Sequence, residues 1–129
     1  MTNLTALIID DNANNITVLQ QLLRMEGVAS ERLSTAKELA SELDRLTNIA
    51  VVFLDLEMPV VDGYEAVSII RAHPNFQTAK VVAYSVHVSE LKVVMGMEFD
   101  AFLGKPLDAD AFPEQLSRIL AGEKLYFIP

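Results

Sequence analysis

Val51-Val52-Phe53-Leu54-Asp55, followed by Leu56-Glu57-Met58-Pro59-Val60-Val61-Asp62-Gly63, is the stretch whose reading decides the fold. An apolar run this short, ending in a carboxylate with a turn-forming Pro and Gly behind it, reads as a buried strand. It delivers one acid, Asp55, to its C-terminal mouth, which in open parallel α/β sheets is where ligands and chemistry sit. Alone, an Asp in this position is as readily a loop-starter. Its meaning depends on what the rest of the chain brings beside it.

Upstream, Thr5-Ala6-Leu7-Ile8-Ile9 ends in Asp10-Asp11 and a cluster of Asn12, Asn14 and Asn15, the pattern of strand, turn and helix start. Ile16, Leu19, Leu22 and Leu23 recur at helical spacing, and Gly27 is placed to end that helix. Val28 to Leu33 is a second strand whose Glu31 and Arg32 indicate an edge position. Thr35-Ala36-Lys37-Glu38 fits a capping box, and Leu39, Leu43 and Leu46 continue one apolar face.

Downstream, Gly63 to His73 makes a third helix with Ala66, Val67, Ile69 and Ile70 inward, stopped by Pro74. Lys80-Val81-Val82-Ala83-Tyr84-Ser85 is a fourth strand, apolar until its polar C-terminal end. Ser89 caps a fourth helix through about Glu98, weakened by Gly96. Ala101-Phe102-Leu103-Gly104 is a fifth strand ending at Lys105-Pro106. Asp108 or Asp110 starts the last helix, with Pro113 near its first turn; Gly122 ends it and 123–129 form a short tail. Strands alternating with helices predict an α/β, flavodoxin-like, doubly wound sheet of five parallel strands with five helices on both faces. The expected order, 2-1-3-4-5, comes from that architecture rather than from these residues.

Composition fits one domain, residues 1–129 with a core at about 4–122: of the residues 51% are hydrophobic and 22% charged, which argues against disorder. No apolar run approaches the ~18 residues that span a bilayer, and Met1-Thr2-Asn3-Leu4-Thr5 lacks a signal peptide's basic start, so no membrane association is expected. With no cysteine, disulfides and thiolate metal sites are excluded and the cytoplasm is the default compartment. A net charge of −8 speaks against direct nucleic-acid binding, which needs a basic face.

In a parallel sheet the C-terminal ends of strands one, three, four and five share an edge, so Asp10, Asp11, Asp55, Ser85 and Lys105 converge. Carboxylates gathered in one pocket repel unless something cationic offsets them. A hard divalent cation suits carboxylates plus a backbone carbonyl, and the Lys105 ammonium is a second, movable charge. The same set suits phosphoryl transfer, with a carboxylate nucleophile, a metal and a Lys on the equatorial oxygens, and a hydroxyl donor.

Asp10-Asp11, Asp55 with Met58-Pro59 and Asp62-Gly63 behind it, Ser85 and Lys105-Pro106 resemble the signature of two-component response regulator receiver domains, CheY-like proteins. The resemblance covers essentially the whole chain. It implies that Asp55 accepts a phosphoryl group from a histidine kinase's phosphohistidine and that the chain is a phosphoacceptor rather than a turnover enzyme. It further implies Mg²⁺ (or Mn²⁺) held by Asp11 directly, by Asp10 mainly through water, by Asp55 and by the carbonyl of Glu57. Ser85 and Lys105 would contact the phosphoryl group, Phe102 stands at the switch-aromatic position, and the Lys105-Pro106 bond is typically cis. Glu57, Val86 and His87 occupy positions that tune phosphoryl lifetime, and Val86 stands where Ala or Gly is more usual, so its branched side chain could narrow access to Asp55.

The expected partners are a histidine kinase or histidine phosphotransfer protein, and a downstream protein that reads the face of the fourth helix, fifth strand and fifth helix; a homodimer stays open. Phosphate relay, or a receiver excised from a hybrid histidine kinase, are alternatives to a stand-alone switch. An aspartate-nucleophile phosphatase would need a second Asp where Glu57 stands. Other readings compete residue by residue. Asp10-Asp11 alone is a helix-capping pair, and His73 and His87 read as solvent-facing. Phe102 is either plain core or a two-position side chain, and Leu91, Val93, Val94, Met95 and Met97 form either a broad buried face or a partner patch.

Overall fold

The computed structural model describes residues 4–33, 39–56, 63–85 and 99–127. Among them are six strands, β1 (Leu4–Ile9), β2 (Val28–Leu33), β3 (Ile49–Asp55), β4 (Lys80–Ser85), β5 (Ala101–Gly104) and β6 (Leu125–Phe127). The described helices are α1 (Ala13–Met25), α2 (Leu39–Asp44), α3 (Gly63–Ala72) and α4 (Phe112–Leu120), the last being the fifth helix expected from the sequence. The expected capping box at 35–38, residues 57–62 and the expected helix from Ser89, with Leu91, Val93, Val94, Met95 and Met97, lie outside the described residues.

All strand pairings are parallel, in the order β2-β1-β3-β4-β5-β6. The five expected strands thus stand in the expected order, with β2 at an edge where Glu31 and Arg32 are exposed. Because strand side chains alternate faces, each central strand feeds two separate cores. Leu7, Ile9, Val52, Leu54, Val81, Ala83 and Phe102 pack with α2 and α3 on one side. Ala6, Ile8, Val51, Phe53, Val82, Tyr84, Ala101 and Leu103 pack with Ile16, Leu19 and Leu23 of α1 and Phe112, Leu116 and Ile119 of α4 on the other. Continuous apolar runs are the sequence mark of strands buried on both faces.

Helix ends follow their side chains. The Asn12 carboxamide oxygen accepts from the Asn15 N–H at 3.0 Å and starts α1, and Gly27, at φ +75°, receives the chain in the left-handed region just beyond its end. α4 begins at Phe112, later than Asp108 or Asp110, because the Asp108 carboxylate accepts from the Asp110 N–H at 2.9 Å and closes a turn first. Pro113 then sits in the first helical turn, where its missing N–H leaves no bond unmade.

Two expectations are corrected. His73 is not solvent-facing: its side chain is largely covered, its Nδ1 accepts from the Asn75 N–H at 3.1 Å, and its Nε2 lies 2.7 Å from Asp44 Oδ1. Nor is 123–129 only a tail. Leu125–Phe127 pairs with β5 in the register Ala101↔Leu125, Phe102↔Tyr126 and Leu103↔Phe127, so β5 is not a sheet edge and β6 forms the outer row of the sheet. The run is leucine and two aromatics, residue types that suit a pleated surface. The approach to it is clamped by Asp100, whose carboxylate accepts from the Val81 N–H at 2.8 Å, pairs with Arg71 and lies 3.7 Å from Lys124 Nζ. Ending the chain after Lys124 is expected to lower stability by about 1–3 kcal/mol, the net worth of two or three ladder hydrogen bonds. Urea denaturation checks this, and an unchanged midpoint would mean that β6 contributes nothing.

Candidate functional site

Strand alternation decides which side chains meet at the sheet's C-terminal edge. Ala6 and Ile8 bury towards α1 and α4, so Asp10 is next on that side; Val51 and Phe53 lead likewise to Asp55, Val82 to Tyr84, and Ala101 and Leu103 to Lys105. Those four side chains do converge. Lys105 Nζ lies 3.2 Å from Asp55 Oδ1 and 3.9 Å from Asp10 Oδ2, and it sits 4.5 Å from the centroid of the Tyr84 ring. Carboxylate oxygens of Asp10, Asp11 and Asp55 all lie within 4.8 Å of one another.

Burial separates the three acids. Asp10 is fully buried and Asp55 nearly so, while Asp11 is exposed at the mouth of the cleft. Both oxygens of Asp10 are engaged: Oδ1 accepts from the Asn12 N–H at 2.9 Å, and Oδ2 accepts from the Tyr84 hydroxyl at 2.5 Å. Burial, then the bond to Asp10, then the charges of Asp10, Asp55 and Asp11 push the Tyr84 phenol far above its ordinary pKa. Its hydroxyl therefore keeps its proton and serves as a hydrogen-bond donor to Asp10. The cleft above is lined by Asp11, Asn15 and Val18 on one wall and by Lys105, Pro106 and Leu107 on the other, with Asp55 between them. The Lys105–Pro106 peptide is cis.

Ser85, the last residue of β4, is fully buried and pairs in register with Gly104, and its carbonyl accepts from the Lys105 N–H at 2.9 Å. Phe102 is fully buried in the core shared with α2 and α3. Glu57, Val86 and His87 lie outside the described residues. Tyr84 was not singled out by the sequence reading, which treated it as strand filling; its place on the same alternation as Asp55 was the available signal.

The donor set fits a hard divalent cation. Its oxygens are carboxylates, the ligand type such ions prefer, and among the described residues three acids opposed by one ammonium leave net negative charge in a mostly buried place. Chemically, a carboxylate at a strand mouth beside an ammonium can act as a nucleophile towards phosphorus while the cations neutralise phosphoryl oxygens.

The sequence profile of the response regulator receiver domain matches residues 6–117. Hybrid signal transduction histidine kinase A of Dictyostelium discoideum is 30% identical over 118 residues, which are 88% of this chain but 6% of that protein. The chain thus spans a small fraction of the length of such kinases. A response regulator receiver domain (CheY-like) from Methylobacillus flagellatus superposes with a TM-score of 0.81 at 28% identity, covering 92% of this chain and 99% of that one. The receiver domain of sensor histidine kinase PA1611 from Pseudomonas aeruginosa, solved with magnesium coordinated in its active-site cleft, shares the fold, with a TM-score of 0.79 at 23% identity over 93% of this chain and 99% of that one.

Proposed function

Since this chain belongs to the response regulator receiver domain family, we propose that Asp55 is the residue at which it takes up a phosphoryl group in two-component signalling. The observation that carries this reading is the Asp55 carboxylate, nearly buried at the mouth of β3, with Lys105 Nζ at 3.2 Å and the Asp10 and Asp11 carboxylates within 4.8 Å. An Asp55 oxygen attacks phosphorus, an acyl phosphate bond forms, and the bond to the donor's imidazole nitrogen breaks with its electron pair returning to the ring. Lys105 neutralises negative charge on the phosphoryl oxygens, and the Ser85 hydroxyl donates to one of them.

Asp11 and Asp55 would hold a magnesium or manganese ion, Asp10 mainly through water, with the Glu57 carbonyl as the further ligand the family resemblance implies. The ion, when bound, lowers the electrostatic cost of bringing a phosphoryl dianion among carboxylates. The magnesium-bearing Pseudomonas aeruginosa receiver supports that choice of ion. The hybrid kinase relatives support a histidine kinase or phosphotransfer protein as the donor, whether the chain switches a partner or relays phosphate. We place the protein in the cytoplasm; among the described residues no helix is long and apolar enough to cross a membrane.

Output requires several contacts to change together. Moving an equilibrium from 1:99 to 99:1 takes about 5.5 kcal/mol of differential stabilisation, more than one hydrogen bond supplies. Ser85 and Lys105 would be drawn to the phosphoryl group, and Phe102, buried in the core shared with α2 and α3, is the aromatic that would reorient as they move. A downstream protein then reads the face of the expected fourth helix, β5 and α4, beside which β6 extends the sheet. Acetyl phosphate with Mg²⁺ is expected to add one phosphoryl group per chain, read by intact mass. Sustained turnover of a phosphomonoester would overturn the reading in favour of a phosphatase.

A further inference from the structure

Three carboxylates within 4.8 Å repel one another, so each needs a reason to stay. Lys105 supplies one for both buried acids, pairing with Asp55 at 3.2 Å and more loosely with Asp10 at 3.9 Å, but at the longer distance it makes no hydrogen bond that would fix the Asp10 carboxylate's orientation. Asp10 is instead held by two neutral donors, the Asn12 N–H and the Tyr84 hydroxyl, one on each oxygen. Tyr84 is 2% exposed and Asp10 fully buried, so no solvent competes for that bond. The same ring lies under Lys105 Nζ at 4.5 Å, a cation–π distance. One side chain on β4 thereby touches both an acid on β1 and the ammonium after β5.

We propose that Tyr84 is a positioning residue for the divalent-cation site: its hydroxyl tethers Asp10 in the orientation from which that carboxylate serves the metal and its water. This rests on the reading of Asp10, Asp11 and Asp55 as the metal site. With both oxygens already committed to donors, Asp10 faces the ion as a fixed, partly neutralised acceptor suited to ordering a metal-bound water. Asp11, exposed at the cleft mouth, is placed to coordinate directly. Without the tether, repulsion from Asp11 and Asp55 turns the Asp10 carboxylate away, and ion binding must first restore it. Partners that orient metal ligands in this way typically contribute about 10–100-fold in affinity. The lower end applies here because the Asn12 N–H still holds Oδ1.

Tyr84→Phe tests the tether cleanly, since it deletes the hydroxyl while keeping the ring beneath Lys105. Mg²⁺ alone is titrated calorimetrically into four proteins: wild type, Tyr84→Phe, Asp10→Asn and the double variant. The expected result is an affinity about tenfold weaker for Tyr84→Phe than for wild type, and little further change from Tyr84→Phe in the Asp10→Asn background. With three tyrosines and no tryptophan in the chain, near-ultraviolet circular dichroism reads tyrosines directly. A Mg²⁺-induced change present in wild type should be lost in Tyr84→Phe. Unchanged affinity in Tyr84→Phe, or an equal loss in both backgrounds, would overturn the proposal, the second outcome assigning Tyr84 to packing alone. If Tyr84→Phe does not fold, Asp10→Asn takes its place, and persistence of the full Mg²⁺-induced tyrosine signal in that variant overturns the proposal. Wild type that binds no Mg²⁺ would overturn the metal reading itself, a result distinguishable from either.

Discussion

Asp55→Asn is expected to abolish phosphorylation, by acetyl phosphate or by a cognate kinase, while leaving the protein folded. The amide has the shape of the carboxylate but lacks its anionic oxygen, so no acyl phosphate can form at that position. Among the described residues, neither of the other two acids replaces it by a small movement. Asp10 is fully buried and bonded through both oxygens to Asn12 and Tyr84, and Asp11 stands exposed on the cleft's outer wall. Folding should not suffer, because the substitution removes one negative charge from a cluster of three that, among the described residues, is opposed by the Lys105 ammonium. The melting temperature is therefore expected to equal or exceed that of wild type. Intact mass after incubation with acetyl phosphate and Mg²⁺ reads the first expectation and a thermal melt the second. Phosphorylation of the variant at another site, at the wild-type rate, would remove Asp55 from its role.

How far the site can be read from the residues depends on how far topology alone places them. Asp10, Asp11, Asp55 and Lys105 were legible because each ends an apolar run, and parallel strands deliver their ends to one edge whatever the packing between them. Tyr84 was not, although Val82 and Tyr84 share an alternation as Val51, Phe53 and Asp55 do. Taking run ends as the only chemistry ignored that the residue before the end of β4 points into the same pocket as Asp55. His73 is held locally by the Asn75 N–H two residues on, but its other partner, Asp44, is 29 residues away and only folding brings it there, so its coverage had little local signal. β6 escaped for a different reason. Three residues after Gly122 are too few to show a period, and only the open edge of β5 makes them a strand.

The largest stability effect is expected at Phe53, and its cause lies in how β3 carries the site. Phe53 is fully buried, two residues before Asp55 on the same face, and its ring centroid lies 6.2 Å from that of Phe112 at the start of α4. Phe53→Ala would leave a void between β3 and α4 directly beneath the carboxylate cluster. Burying a large apolar side chain and then deleting it from a packed core costs about 3–5 kcal/mol, against about 5–15 kcal/mol for the whole fold of a typical domain. The neighbours cannot close the gap cheaply. Val51 and Val82 are fixed in strands, and Phe112 is held at the helix start beside Pro113. Urea denaturation should show a midpoint lowered by that free energy divided by the slope, with the slope itself unchanged, since the surface exposed on unfolding stays nearly the same. Phe53→Leu, which restores most of the volume, should recover much of the loss. A cost below about 1 kcal/mol for the alanine variant would mean that α4 settles onto the sheet without Phe53. In that case Asp55 owes its position to the strand ladder alone, and Mg²⁺ affinity in Phe53→Ala should match wild type. If the cavity stays open, the affinity should fall with the stability, because the strand end that presents Asp55 has lost the support beneath it.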